Sequence, residues 1–262
     1  MKNTDKLEAL LRSLHLKSFI RNYKDFSEKS HKQKLGHIEY LHELVQAESS
    51  ERQIRKVERL IKEAKLPRGK TLDGFDLSKQ PSLSPGRLKE LGQGDFLDLC
   101  ENLLIFGIPG SGKTHLSSGL AREWCLRGRR VFYTTAAALV QELLVAKRDL
   151  KLNEMIKKLD SFEAIVIDDV SYVPYTRDET DVLFVLLAAR YETRSVVITS
   201  NLAFSDWGNI FKDPMTTQAA IDRLVHHSTI LELTESYRQK YAKNRKKAQE
   251  EAQSKSKEPE IT

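Results

Sequence analysis

The chain has 262 residues, 40% hydrophobic and 31% charged, with a net charge of +6. That composition supports a packed core, and no apolar run of 18 or more residues is present to span a membrane. The charge is uneven: residues 1–34 carry nine Lys/Arg against four Asp/Glu and residues 237–262 carry eight against four, which leaves the middle at −3.

Two basic ends around a near-neutral middle suit a chain whose ends grip a polyanion, with solubilising tails as the alternative. The N-terminus mixes acids with its bases and has no small-residue cleavage site, so it does not read as a signal peptide. Cys100 and Cys125 stand outside any metal-ligand spacing. They read as two packed thiols in a reducing cytoplasm.

Residues 4–66 read as helices. Leu7, Leu10, Leu11 and Leu14 fall at helical spacing, as do Leu35, Ile38, Leu41, Leu44 and Val45, and then Ile54, Val57, Leu60, Ile61 and Ala64. Ser50 with Gln53 is a capping-box signature for the last of these. Residues 1–66 are therefore expected to form a small helical domain that binds DNA or a partner. Residues 67–95 hold three Pro and five Gly with Ser between them. Such punctuation predicts a linker or arm over 67–99 rather than a core element.

From residue 100 the pattern alternates. Strands are expected at 102–106, 131–134, 164–167 and 195–199, and helices at 114–127, 136–148 and 178–191. Alternating strands and helices give an α/β fold with a parallel sheet covered on both faces. This α/β domain is expected over 100–241, followed by a basic, disordered tail over 242–262.

The chemistry starts with GIPGSGKT, residues 107–114, which meets every fixed position of G-x-x-x-x-G-K-[ST]. Backbone N–H groups must surround phosphate oxygens, and side chains at Gly107, Gly110 and Gly112 would block that approach. Lys113 adds a positive charge at the β- and γ-phosphates, and the Thr114 hydroxyl is placed for Mg²⁺. The following helix turns its positive N-terminal end to the same phosphates. The expected nucleotide-binding set is Gly107, Ile108, Pro109, Gly110, Ser111, Gly112, Lys113, Thr114 and His115, with ATP and Mg²⁺ as cofactors.

A nucleotide loop needs a carboxylate on a neighbouring strand. AIVIDD, residues 164–169, supplies Asp168 where open α/β sheets bind ligands. Asp168 is expected to hold the metal, mainly through water, and Asp169 to orient and deprotonate the attacking water. SVVITSN ends in Asn201, either a contact to the γ-phosphate or water or simply half of a turn-forming Ser-Asn pair.

The order of GIPGSGKTHL, IDDVSYVP, ITSNLAFSDWGNIF, AAIDRLVHHS and ESYR resembles the IstB family of AAA+ ATPases. These are transposition helpers of insertion sequences, related to the helicase loader DnaC and the initiator DnaA. The run RDETDVLFVLLAARYE after DVSYVP looks like the IstB segment that follows the metal aspartate. The resemblance implies an AAA+ P-loop domain, with Asn201 as first sensor and Arg223 as the arginine that reaches a neighbouring subunit's γ-phosphate. It sets Arg238 where a second sensor lies, beside the alternative of an ordinary tail residue.

The resemblance also implies self-assembly into a ring or spiral, double-stranded DNA as ligand, and a cognate transposase as partner. A helicase loader like DnaC is the runner-up. A small-molecule kinase built on the same loop is disfavoured, because the sequence offers no arginine-bearing lid. At the metal strand many IstB-like sequences carry Asp-Glu where this chain has Asp168-Asp169. The shorter acid implies slow hydrolysis with binding intact.

Overall fold

A computed structural model describes residues 3–170, 175–203, 206–207 and 214–237. The chain divides into two compact units, Met1–Arg59 and Leu60–Thr262.

The first unit holds α1 (Asn3–Ser13), α2 (Lys17–Gln33) and all but the last turn of α3 (His37–Glu63). Helix α2 stops at Lys34, whose left-handed backbone lets the Leu35 N–H return to the Ser30 carbonyl at 3.0 Å. Glu48 of α3 is buried and accepts from the Ser18 N–H at 2.8 Å and from Arg52 Nε at 2.6 Å. Burial pushes its carboxyl up, but these donors outweigh it and hold it below the usual range. Of the predicted stripes, Leu11 and Leu44 are buried in this unit, whereas Leu10 and Ile38 are 61% and 84% exposed. The capping box expected at Ser50 does not form, because α3 runs through it. Residues 46–53 contain no Gly or Pro, so nothing ends the preceding turns.

The second unit is built on five parallel strands in the order β2-β3-β4-β1-β5. They are β1 (Asn102–Gly107), β2 (Val131–Thr135), β3 (Ala164–Asp168), β4 (Ser195–Ser200) and β5 (Ser228–Leu233). The helices are α4 (Pro85–Gln93), α5 (Lys113–Leu126), α6 (Ala136–Arg148), α7 (Leu152–Asp160), α8 (Arg177–Arg190) and α9 (Pro214–His226). Side chains alternate across the strands. Leu103 and Ile105 pack with Leu116, Leu120 and Trp124 of α5, while Leu104 and Phe106 pack with residues of α6, α8 and α9. Strands covered on both faces are continuous apolar runs, as in β3, where all five residues are buried.

The expected linker over 67–99 is corrected by this core. Phe75, Leu83, Leu88, Leu91 and Leu97 are buried in it. The residues that resembled linker punctuation are helix punctuation. Ser84 caps α4 by accepting from the Arg87 N–H at 3.1 Å, Pro85 opens it, and Gly94 ends it with φ 78°.

Arg190, at the end of α8, is fully buried. It donates to the carbonyls of Leu159 (3.0 Å), Phe162 (3.0 Å) and Ser195 (2.9 Å), and lies 3.5 Å from the Asp160 carboxylate. It thereby ties α7, β3 and β4 together at the edge where the strands begin. Cys125 is a buried free thiol whose pKa burial pushes up to about 11. Among the described residues no helix is long and apolar enough to cross a membrane.

Candidate nucleotide site

The loop between β1 and α5 sits at the C-terminal edge of the sheet, flanked by β4 and β5. Its glycines are dictated by crowding. A Cβ on Gly107 would lie 2.4 Å from the Leu233 carbonyl oxygen of β5. Gly112 has φ 98°, and a Cβ there would press on Phe75 and Tyr237 at 3.1 Å. Lys113, the first residue of α5, is buried and curls back over the loop. Its ammonium donates to the carbonyls of Gly107 (2.6 Å) and Ile108 (3.2 Å) and to Asn201 Oδ1.

The predicted metal residues meet. Thr114 Oγ1 lies 3.3 Å from Asp168 Oδ1. A hydroxyl beside a carboxylate is the hard oxygen set that Mg²⁺ takes, so the two residues fit the ion expected there.

Asp169 follows β3 with a left-handed backbone, φ 61°. Two bonds from β4 hold that conformation: Asp169 N–H to Thr199 Oγ1 at 2.8 Å, and Val170 N–H to the Thr199 carbonyl at 3.0 Å. The same Thr199 hydroxyl donates to Asp168 Oδ1 at 2.6 Å. One fully buried threonine thus sets both acids, a role the sequence did not signal. Asn201 Nδ2 donates to Asp169 Oδ1 at 3.1 Å, so the residues expected as sensor and as water-activating acid are also brought together. Burial, and then the neighbouring Asp168 charge, raise the Asp169 pKa against the pull of Lys113.

Lys113, Thr114, Asp169, Thr199 and Asn201 open on a cavity of about 500 Å³. Its far wall comes from the 67–99 segment and from Tyr237 in the segment following β5. The Phe75 ring lies edge-on to His115 at 5.6 Å and tilted to Tyr237 at 6.1 Å. Tyr237 is pinned by its hydroxyl donating to the Asp76 carbonyl at 2.6 Å, and His115 Nε2 lies 2.8 Å from the Thr71 carbonyl. Aromatic faces beside a phosphate cradle provide a surface for a nucleobase. Phe75 carried no motif in the sequence, and Tyr237 was visible only as part of ESYR.

Arg223 lies elsewhere. It sits near the C-terminal end of α9, its guanidinium 5.1 Å from the Phe184 ring centroid and its Nη1 3.3 Å from the Ala219 carbonyl. It shares a small recess with Asn102 and Tyr191, at the edge where β1 begins. Arg238 lies outside the described residues.

The model of the IstB-like ATP binding protein family matches residues 9–248. The chain belongs to that family. An insertion sequence ATP-binding protein of Sinorhizobium fredii is 40% identical to it over 244 residues, which are 92% of this chain and 82% of that protein. The IS21 ATP-binding protein of Pseudomonas aeruginosa is 36% identical over 89% of each chain. Among solved structures, the DnaC helicase loader superposes with a TM-score of 0.56 at 17% identity, covering 63% of this chain and 97% of that one. At such identity the likeness concerns the fold: the second unit of this IstB-like protein is a parallel sheet covered by helices, with the loop of residues 107–114 at its C-terminal edge.

Proposed function

We propose that this IstB-like protein is an ATP- and Mg²⁺-dependent ATPase of an insertion sequence, which assembles on double-stranded DNA in the cytoplasm and there recruits and stimulates the element's transposase. The observation that carries this reading is the convergence of Lys113, Thr114, Asp169 and Asn201 on one cavity, with Asp168 against Thr114, while Arg223 stands at the opposite edge of the same sheet. Insertion-sequence relatives at 36–40% identity favour it over a helicase loader, for which only fold-level likeness speaks.

In this reading the loop amides and Lys113 bind the triphosphate. Its γ-phosphate competes with the carbonyls and Asn201 for the ammonium, so Lys113 turns from an internal clamp to a phosphate ligand. Thr114 and Asp168 would hold Mg²⁺, which supplies charge neutralisation at the transferring phosphoryl group. Asp169 accepts the proton of the attacking water, and Asn201 orients that water or the γ-phosphate. Asp169 is one methylene shorter than Glu, so its oxygen stands farther back and turnover is slow.

Arg223 cannot serve the loop of its own chain from the far edge of the sheet. A second copy docked head to tail would bring it to that copy's γ-phosphate. The contact is heterologous, so repetition builds a ring or an open spiral. Basic side chains at the chain's two ends then neutralise DNA phosphates without reading sequence. Bending the DNA along such a spiral costs on the order of a few kcal/mol per site, offset by the many contacts.

Electron microscopy of the protein with duplex DNA, with and without ATP, tests this directly. ATP-dependent rings or spirals on the duplex are the expected result. Assemblies indifferent to ATP would remove the nucleotide bridge from the account.

A further inference from the structure

A phosphate-binding loop can aim its N–H groups inward only if its carbonyls face outward, where each needs a donor of its own. In this chain three consecutive outward carbonyls are met by side chains and backbone distant in sequence. The Pro109 carbonyl accepts from Ser236 Oγ at 3.0 Å, and the Gly110 carbonyl from the Tyr237 N–H at 2.9 Å. The Ser111 carbonyl accepts from Gln80 Nε2 at 2.8 Å, and the other proton of that amide reaches the Glu235 carbonyl at 2.7 Å.

Gln80 is completely buried. Facing two carbonyls, its amide can present only the NH₂ group to them. Its Oε1 has no hydrogen-bond partner among the described residues. A buried orphan acceptor costs stability, and an apolar side chain of the same length would fill the space without that cost. The amide is therefore explained by its two donated bonds rather than by packing.

We propose that Gln80 is a positioning residue for the nucleotide loop, and that with Ser236 and Tyr237 it couples the loop to the segment following β5. The inference rests on residues 107–114 being the nucleotide loop. When phosphate fixes the inward amides, the outward carbonyls are fixed with them, and the bonds to residues 235–237 open less often. Coupling of this kind is reciprocal, so loosening Gln80 weakens nucleotide binding. Residues 80 and 235–237 thereby become the route by which the occupied loop reports to the C-terminal end of the chain.

The test compares the full-length chain with Gln80→Met, which keeps the length and loses both donors, and with Ser236→Ala, which removes one hydroxyl. Fluorescent ADP is titrated against each with Mg²⁺ present, and hydrogen exchange of the Tyr237 amide is followed with and without ADP. In the wild type ADP should slow Tyr237 exchange at least tenfold. Gln80→Met should bind ADP about tenfold more weakly and lose most of that protection, with Ser236→Ala intermediate. If Gln80→Met does not fold, Ser236→Ala alone must show weaker binding and reduced protection. Wild-type affinity and full protection in the variants would overturn the inference, as would ADP binding that leaves Tyr237 exchange unchanged in the wild type. A wild-type chain with no affinity for ADP would instead sink the reading of the loop itself.

Discussion

Thr199→Val is the sharpest perturbation of the acid pair. Valine keeps the shape of threonine and removes only the hydroxyl. That hydroxyl donates to Asp168 at 2.6 Å and accepts from the Asp169 N–H at 2.8 Å, and Thr199 is 1% exposed. A hydrogen bond to a charged group contributes about 1.5–3 kcal/mol, and an orphaned buried N–H costs about 1–3 kcal/mol. The sum, roughly 2.5–6 kcal/mol, corresponds to a fall in Tm of roughly 5–25 °C for a domain of this size. Asp169 also loses a restraint on its left-handed backbone, and misplacing a catalytic group by about 1 Å costs on the order of 100-fold in rate. Thermal unfolding and steady-state ATP turnover should therefore both fall in Thr199→Val, whereas nucleotide affinity, carried by the loop amides and Lys113, should stay near wild type. Thr199→Ser retains the hydroxyl and should recover both. If Val matches the wild type in stability and turnover, or Ser is as impaired as Val, Thr199 does not set the acids.

Other outcomes follow from the same geometry. Arg223→Ala should retain ATP binding but lose hydrolysis and cooperative assembly, measured by nucleotide titration, phosphate release and sedimentation; unchanged turnover would take Arg223 out of any site. Arg190→Ala strips donors from three buried carbonyls and removes the partner of Asp160, and should destabilise the second unit by about 3–5 kcal/mol in denaturant unfolding. Cys125 has its pKa raised, so the reactive thiolate forms only as pH climbs toward about 11. Native alkylation at pH 8 mapped by mass spectrometry should leave it unmodified, and rapid labelling there would contradict its burial.

What was legible in the sequence, and what was not, has physical reasons. Strands β1 to β4 were visible because burial on both faces demands continuous apolar runs, as in AIVID and SVVIT. Strand β5 was not, since its STILEL alternates exposed and buried residues at the edge of the sheet. The turn of residues 107–114 was legible because a phosphate-binding loop imposes glycines at fixed spacing, and Asp168 because it ends a continuous apolar strand. Phe75, Gln80 and Thr199 were not, because their roles depend on contacts with residues 30 to more than 150 positions away. The Pro and Gly of 67–99 were seen but misassigned, since the same residues punctuate a linker and cap a short helix. At Ser50 a capping signature lay inside a helix that nothing interrupted.

Saturable binding of adenine nucleotide at the loop of residues 107–114 is the central claim. Titrating a fluorescent ATP analogue into the purified chain with Mg²⁺ present, beside Lys113→Ala, measures it most directly. The account predicts one site per chain in the wild type and an affinity at least 100-fold weaker in Lys113→Ala. Equal affinity in the two proteins, or none in the wild type, would contradict it.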